Sequence, residues 1–100
     1  MKKILLASLV GTFAEDKDAA AKLRREEILP LLASGGTMEI DFSDITLTTQ
    51  SFIHALISEA LRQNGEEVLA RLKFKNCGPA ARDIIETVVQ YVLEAREGDV

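Results

Sequence analysis

Apolar and polar residues alternate along the chain in patterns that switch between strand and helix. The apolar run at residues 3–10 predicts a first strand, and residues 38–42 predict a second. Residues 69–76 show a period of two, with Leu72 and Phe74 on one face and charged side chains on the other. This third strand is therefore expected at the edge of a sheet, with one face solvated.

A helical pattern follows each of these strands. Residues 19–29 are rich in strong helix formers, and Pro30 predicts that this helix ends or kinks there, before Ser34–Gly36 closes the turn. Residues 49–64 carry two neighbouring rows of apolar side chains, which predicts a helix with a wide buried face.

The last helix is predicted to open at Gly78–Pro79, and its charged tail, Glu94–Val100, is expected to fray. The element order is then β-α-β-α-β-α. This order predicts an α/β fold with a single-layer sheet of about three to four mostly parallel strands alternating with helices. The length of 100 residues fits one domain, 1–100.

Charge and cysteine content narrow the function classes. The net charge of -4 argues against nucleic-acid binding, which needs a basic face. No window approaches the roughly 20 apolar residues of a membrane span. Cys77 is the only cysteine, so an intrachain disulfide and a four-cysteine zinc site are excluded and a cytoplasmic location is expected.

The N-terminus has two interpretations. Residues 1–14 have the basic start and apolar run of a secretory signal. The apolar run is short, however, and Thr12-Phe13-Ala14 is a poor cleavage site, which favours a first core strand. The sequence leaves both interpretations open.

Hydroxyl residues cluster where the second strand runs into the next helix. Thr48, Thr49 and Ser51 are predicted at the helix N-terminus, where free N–H groups and the helix dipole favour an anion. Ser51 could accept a phosphoryl group there. Alternatively, the three hydroxyls merely cap the helix, which is the interpretation that the residues alone favour.

Other candidate groups have few partners. Asp41 and Asp44 could suggest a metal site, but turn formation by Asp41 and Ser43 and solvation of Asp44 are favoured. His54 has no nucleophile at a readable spacing and is interpreted as a surface or interface residue. Cys77 is interpreted as a structural thiol. No metal, cofactor or enzymatic activity is predicted.

The segment Ile40-Asp41-Phe42-Ser43-Asp44-Ile45, followed five residues later by Ser51-Phe52, resembles the STAS superfamily of bacterial anti-sigma-factor antagonists. It looks most like the small stand-alone STAS-like proteins of unknown function. Those proteins have a phenylalanine at the position of Phe52 and an asparagine at a strand end, which Asn76 matches. Regulatory members have a glycine in place of Phe52, and usually an aspartate and a serine in place of Thr49 and Gln50.

The resemblance implies a non-enzymatic regulatory interaction module. In regulatory members, a serine at the position of Ser51 is phosphorylated by a kinase of the histidine-kinase-like ATPase fold, and the unphosphorylated form binds its partner. The partner-binding candidates lie on the helix and its preceding turn: Thr48, Thr49, Gln50, Ser51, His54 and Ser58. The alternatives are a constitutive accessory subunit of an ATPase complex and a small enzyme. Pairing of the third strand with a second copy of the chain is left open.

Overall fold

The computed structural model describes residues 1–98. In chain order the elements are β1 (Lys2–Leu5), α1 (Leu6–Val10), β2 (Phe13–Ala14), α2 (Lys17–Leu23), a π-helical segment (Arg24–Ile28), α3 (Leu29–Ala33), β3 (Met38–Asp41), β4 (Leu47–Thr48), α4 (Gln50–Asn64), a 3-10 segment (Gly65–Ala70), β5 (Leu72–Lys75) and α5 (Pro79–Gly98).

The main sheet is parallel and has the order β1-β3-β5. In its register Ile4, Ile40 and Phe74 are neighbours on the face turned toward the core. The alternate residues, such as Lys73, lie on the opposite, more exposed face. The predicted α/β class is confirmed, as is the position of the third strand at an edge with one solvated face.

The N-terminal prediction was wrong beyond Leu5. Only Lys2–Leu5 is a strand, whereas Leu6–Val10 forms a short helix that ends at Gly11, whose φ is 80°. The run of apolar residues does not distinguish a strand from a helix, because it lacks either period. The connection that follows holds β2, which pairs in parallel with β4 as a second, two-stranded sheet.

Pro30 neither ends the helix nor stops its neighbours from being helical. The backbone is helical from Lys17 to Ala33, with the π-helical segment immediately before α3. The N–H of Leu29 donates to the carbonyl of Arg24, five residues back, which widens the turn before the proline. A wider turn accommodates the proline ring and its missing N–H. The helix closes at Ser34–Gly36, as predicted, with Gly35 at a φ of 85°.

Helix α4 lies at the centre of the core. It packs against α2 on one side and α5 on the other, and its two apolar rows are buried as predicted. The buried members of these rows are Phe52, Ile53, Leu56, Ile57, Ala60 and Leu61. Helix α4 ends at Gly65, with a φ of 73°, and a 3-10 segment follows where the third strand was predicted to begin. The position of α4 fixes its first turn at the carboxyl ends of the strands.

Helix α5 runs through Gly98, so the predicted tail is helical as far as the structure describes it. Asp99 and Val100, which were also expected to fray, lie outside the described residues. Within residues 1–98, none of the helices is both long enough and apolar enough to cross a bilayer.

Candidate functional site

The turn after β3 is organised by the carboxylate of Asp41. Its Oδ1 accepts hydrogen bonds from the Ser43 N–H at 2.8 Å, from the Ser43 hydroxyl at 2.7 Å and from the Asn76 side-chain amide at 2.9 Å. Asn76 follows β5 directly and has a φ of 57°, a conformation that asparagine tolerates better than most residues. One carboxylate therefore ties together the carboxyl ends of two neighbouring strands.

The same contacts set the ionisation of Asp41. Hydrogen bonds from Asn76 and then from Ser43 hold the pKa of the Asp41 carboxyl below its ordinary value, because they stabilise the charged form. The prediction that Asp41 binds turn amides is confirmed. Asp44 is exposed, as predicted, and has a φ of 67°. Among residues 1–98, no group of three or more metal-ligating side chains is present.

Two of the three hydroxyls near the start of α4 are already engaged within the protein. The Thr48 hydroxyl donates to the Ala14 carbonyl at 2.8 Å, which fastens β4 to β2. Thr49 is the N-cap of α4, and its Oγ1 accepts the Phe52 N–H at 3.1 Å. Capping was predicted for three residues, and the structure assigns it to one of them.

Ser51 differs from both threonines. It occupies the second position of α4, its side chain is exposed, and its hydroxyl has no hydrogen-bond partner within residues 1–98. Gln50, beside it, is also exposed. A negative group on Ser51 would lie at the positive end of the helix dipole, so the fold would accept it. The accessible hydroxyl at this site is therefore that of Ser51.

The remaining candidates on α4 divide by burial. His54 is half-buried one turn after Ser51, on the same side of the helix. Ser58 is only 3% exposed, so its prediction as a partner-binding residue does not fit this structure. It lies seven residues after Ser51 and thus on nearly the same side of α4, but this side is exposed at Ser51 and buried at Ser58.

An exposed apolar pair next to this helix start was missed by the sequence analysis. Phe13 of β2 and Leu47 of β4 are partners in the register of the small sheet, and they are 60% and 47% exposed. Leu47 is four residues before Ser51. The two-residue strands are too short to show a period, so the only signal was an unexplained Phe13 in a polar connection. Below, Phe13, Leu47, Gln50, Ser51 and His54 together are called the α4-start surface.

Cys77 lies elsewhere, after β5. It is half-buried, and burial raises the pKa of its thiol above the ordinary value, with the Arg82 guanidinium opposing and the Asp41 carboxylate adding to this shift. A raised pKa leaves less thiolate at neutral pH. This agrees with the predicted structural role of Cys77.

Comparison with known families identifies the fold type. Residues 19–81 match the family described as a STAS-like domain of unknown function (DUF4325), which is more than half of the chain. The chain belongs to this family of STAS-like domains. The matched region includes the Asp41 turn, all of α4 and β5, whereas β1, α1, β2 and most of α5 lie outside it. No curated protein and no solved structure matches the chain.

Proposed function

We propose that this STAS-like protein is a non-enzymatic regulatory module that binds an ATPase of the histidine-kinase-like fold through the α4-start surface, and that phosphorylation of Ser51 weakens the complex. The observation that carries the proposal is the contrast among hydroxyls. Thr48 and Thr49 are held by internal hydrogen bonds, whereas Ser51 is exposed and its hydroxyl has no hydrogen-bond partner among the residues that the structure describes. The resemblance of this segment to regulatory STAS proteins supplies the partner class.

The mechanism is electrostatic. Phosphorylation adds a charge of about -1.5 to -2 and three acceptor oxygens to Ser51. The N-terminus of α4 tolerates that charge, but a partner surface packed on Phe13 and Leu47 would have to desolvate it. A tenfold loss of affinity requires only about 1.4 kcal/mol.

The test uses the substitution Ser51→Asp. Wild-type protein is immobilised and used to recover binding proteins from the native cell, and a recovered ATP-binding protein is then purified for affinity measurements with each variant. Ser51→Asp should lower the affinity at least tenfold, and incubation of wild type with ATP and the partner should add one phosphate mass that Ser51→Ala lacks. Thr87→Asp, on the exposed side of α5, is the matched control and should bind as wild type does.

A constitutive accessory subunit of an ATPase complex is the second candidate, favoured by the exposed pair Phe13 and Leu47. If the partner contacts Phe13 and Leu47 but not Ser51, a charge at Ser51 changes the affinity little. In that case Ser51→Asp retains the partner, whereas Phe13→Ser with Leu47→Ser loses it. If none of these changes alters the affinity, the α4-start surface is not the binding site.

A further inference from the structure

The outer edge of β5 carries main-chain groups that no strand pairs with. The carbonyls of Arg71 and Lys75 accept hydrogen bonds from the N–H groups of Met38, in β3, and Phe42, directly after it, each at 2.8 Å. Because these groups alternate in direction along a strand, the N–H and C=O of Leu72 and Phe74 point away from β3. In the described part of the chain, residues 1–98, no further strand borders this edge.

An apolar groove runs beside the same edge. It has a volume of about 740 Å³ and lies between β5, the 3-10 segment before it and α5. Four of its apolar lining residues are only partly covered by the fold: Leu69, Phe74, Val89 and Leu93. The groove thus places apolar side chains next to open main-chain donors and acceptors.

This combination fits an extended polypeptide better than a compact apolar molecule. A polypeptide that adds to a sheet edge satisfies the main-chain groups by hydrogen bonding and places every second side chain over the adjoining groove. A hydrocarbon would fill the groove but would leave the main-chain groups of Leu72 and Phe74 without partners.

Charge determines which polypeptide fits. Lys73 and Lys75 lie on the solvated face of β5, where each would have a cross-strand neighbour on an added strand. Opposite β5 the groove is lined by Glu66, Glu86 and Glu94 and by a cation, Arg82, which pairs with Glu86 at 3.7 Å. The balance there is negative, so acidic side chains would be disfavoured at the inward positions. The inward positions must therefore be apolar and the outward positions acidic.

A second copy of this chain fits less well. Antiparallel pairing of two β5 strands in the central registers brings Lys73 and Lys75 of one copy opposite Lys73 and Lys75 of the other. Like charges directly opposite each other destabilise a pair of strands. We infer that the free edge of β5 and its groove bind, by strand addition, an extended segment of a partner protein in which acidic and apolar residues alternate.

A fluorescent, end-capped seven-residue peptide that alternates glutamate with valine is the probe, and its binding is followed by fluorescence anisotropy. Four comparison peptides are matched to it. One has lysine for glutamate, one has equal composition with the glutamates clustered, and two carry N-methyl groups on one or the other alternate set of amides. The alternating glutamate peptide should bind most tightly. Methylating the set of amides that faces β5 should abolish binding, and methylating the set that faces away should leave binding intact.

Variants of the protein test whether the positive charges of Lys73 and Lys75 select the peptide. Lys73→Glu with Lys75→Glu should weaken binding of the glutamate peptide about tenfold and strengthen that of the lysine peptide. Lys73→Gln with Lys75→Gln should give a smaller loss and avoids new repulsion with Glu39 and Asp41, which are their register partners on β3. Lys22→Glu on α2, away from the groove, should change neither affinity. Ser51→Asp should also have no effect, which separates this site from the α4-start surface.

Three results would overturn the inference. The clustered peptide could bind as well as the alternating one, or both N-methylated peptides could bind equally. Alternatively, sedimentation could show a dimer that Lys73→Gln with Lys75→Gln strengthens and that the peptide fails to displace, which would assign the edge to a second copy of the chain.

Discussion

Polar groups reach the surface in two regions that differ in how these groups are hydrogen-bonded. The first region is the Asp41 turn together with the first turn of α4, and the second is the free edge of β5. At the first, Asp41, Thr48 and Thr49 each have partners within the protein. At the second, the main-chain groups of Leu72 and Phe74 face an open groove. Substitutions in the first region should therefore act mainly on stability, with Ser51 the exception, and those in the second mainly on binding.

The part of the chain that matches the family includes the first of these two regions and only part of the second. The matched region, residues 19–81, contains the whole hydrogen-bonded turn and α4, but it contains the β5 side of the groove without most of its α5 side. The turn thus lies within the matched region. The groove depends on a helix that lies largely beyond it.

The largest expected effect compares two phenylalanines whose rings meet edge to face with centroids 6.3 Å apart. Phe42, at the turn, is buried, whereas Phe74, at the groove, is half-buried. Phe42→Ala should lower the free energy of unfolding by about 3–5 kcal/mol, and Phe74→Ala by clearly less, because less surface is re-exposed. Urea denaturation measures both. An equal or larger loss for Phe74→Ala would break the proposed division between stability and binding.

The next effect separates the cap of α4 from the exposed serine. Thr49→Ala should lower the free energy of unfolding by about 1 kcal/mol, since the Phe52 N–H loses its acceptor. Ser51→Ala, two positions later, should change it by less than about 0.5 kcal/mol, because the Ser51 side chain is exposed and its hydroxyl makes no hydrogen bond to the described part of the chain. Chemical denaturation of the two variants in parallel is the measurement. Reversed magnitudes would mean that Ser51 is the capping residue.

The smallest effect concerns the pH dependence of the Asp41 turn. The folded-state pKa of Asp41 is lowered, so its stabilising contribution is complete above the ordinary carboxyl pKa of about 4 and is lost as the pH falls through the folded-state value. Asp41→Asn should therefore be less stable than wild type at pH 7, and the difference should shrink in acid. Unfolding at a series of pH values measures this.

Asn76→Gly provides the control for that prediction. Glycine keeps the backbone conformation at position 76, where φ is 57°, but removes the amide that contributes most to lowering the Asp41 pKa. The measurement compares two proteins that both carry Asn76→Gly, one with Asp41 and one with Asp41→Asn. The difference between their free energies of unfolding should depend less on pH than it does when Asn76 is present. An unchanged pH dependence would show that Asn76 does not set the ionisation of Asp41.

The parts of the fold that were predictable from sequence are those with a clear period or a strong local signal. The rows of α4, the alternation of β5 and the stop at Asn64–Gly65 belong to this class, and so does the Asp41 turn. Residues 3–10 were assigned to one strand because an uninterrupted apolar run carries no period. Pro30 was expected to end or kink a helix. The π-helical segment that accommodates it was not predictable, because it leaves no readable signature in the sequence.

The candidate site was only partly predictable for a different reason. The hydroxyl cluster was visible, but which hydroxyl remains free depends on Ala14, a residue 34 positions before Thr48, whose carbonyl that threonine binds. The burial of Ser58 depends on how the rest of the chain packs against α4. The pairing of Phe13 with Leu47 likewise brings together segments distant in sequence. Such long-range contacts are not encoded in any local pattern.

The most direct test of the central claim is to measure partner affinity and thermal stability on the same samples of wild type and Ser51→Asp. An aspartate in the first turn of α4 should leave the folded state unchanged or stabilise it by about 0.3–1 kcal/mol. Ser51→Asp should lower the affinity for the ATP-binding partner at least tenfold with no loss of stability. Equal affinity of the two proteins at equal stability would contradict it, because a charge at Ser51 would then have no bearing on the complex.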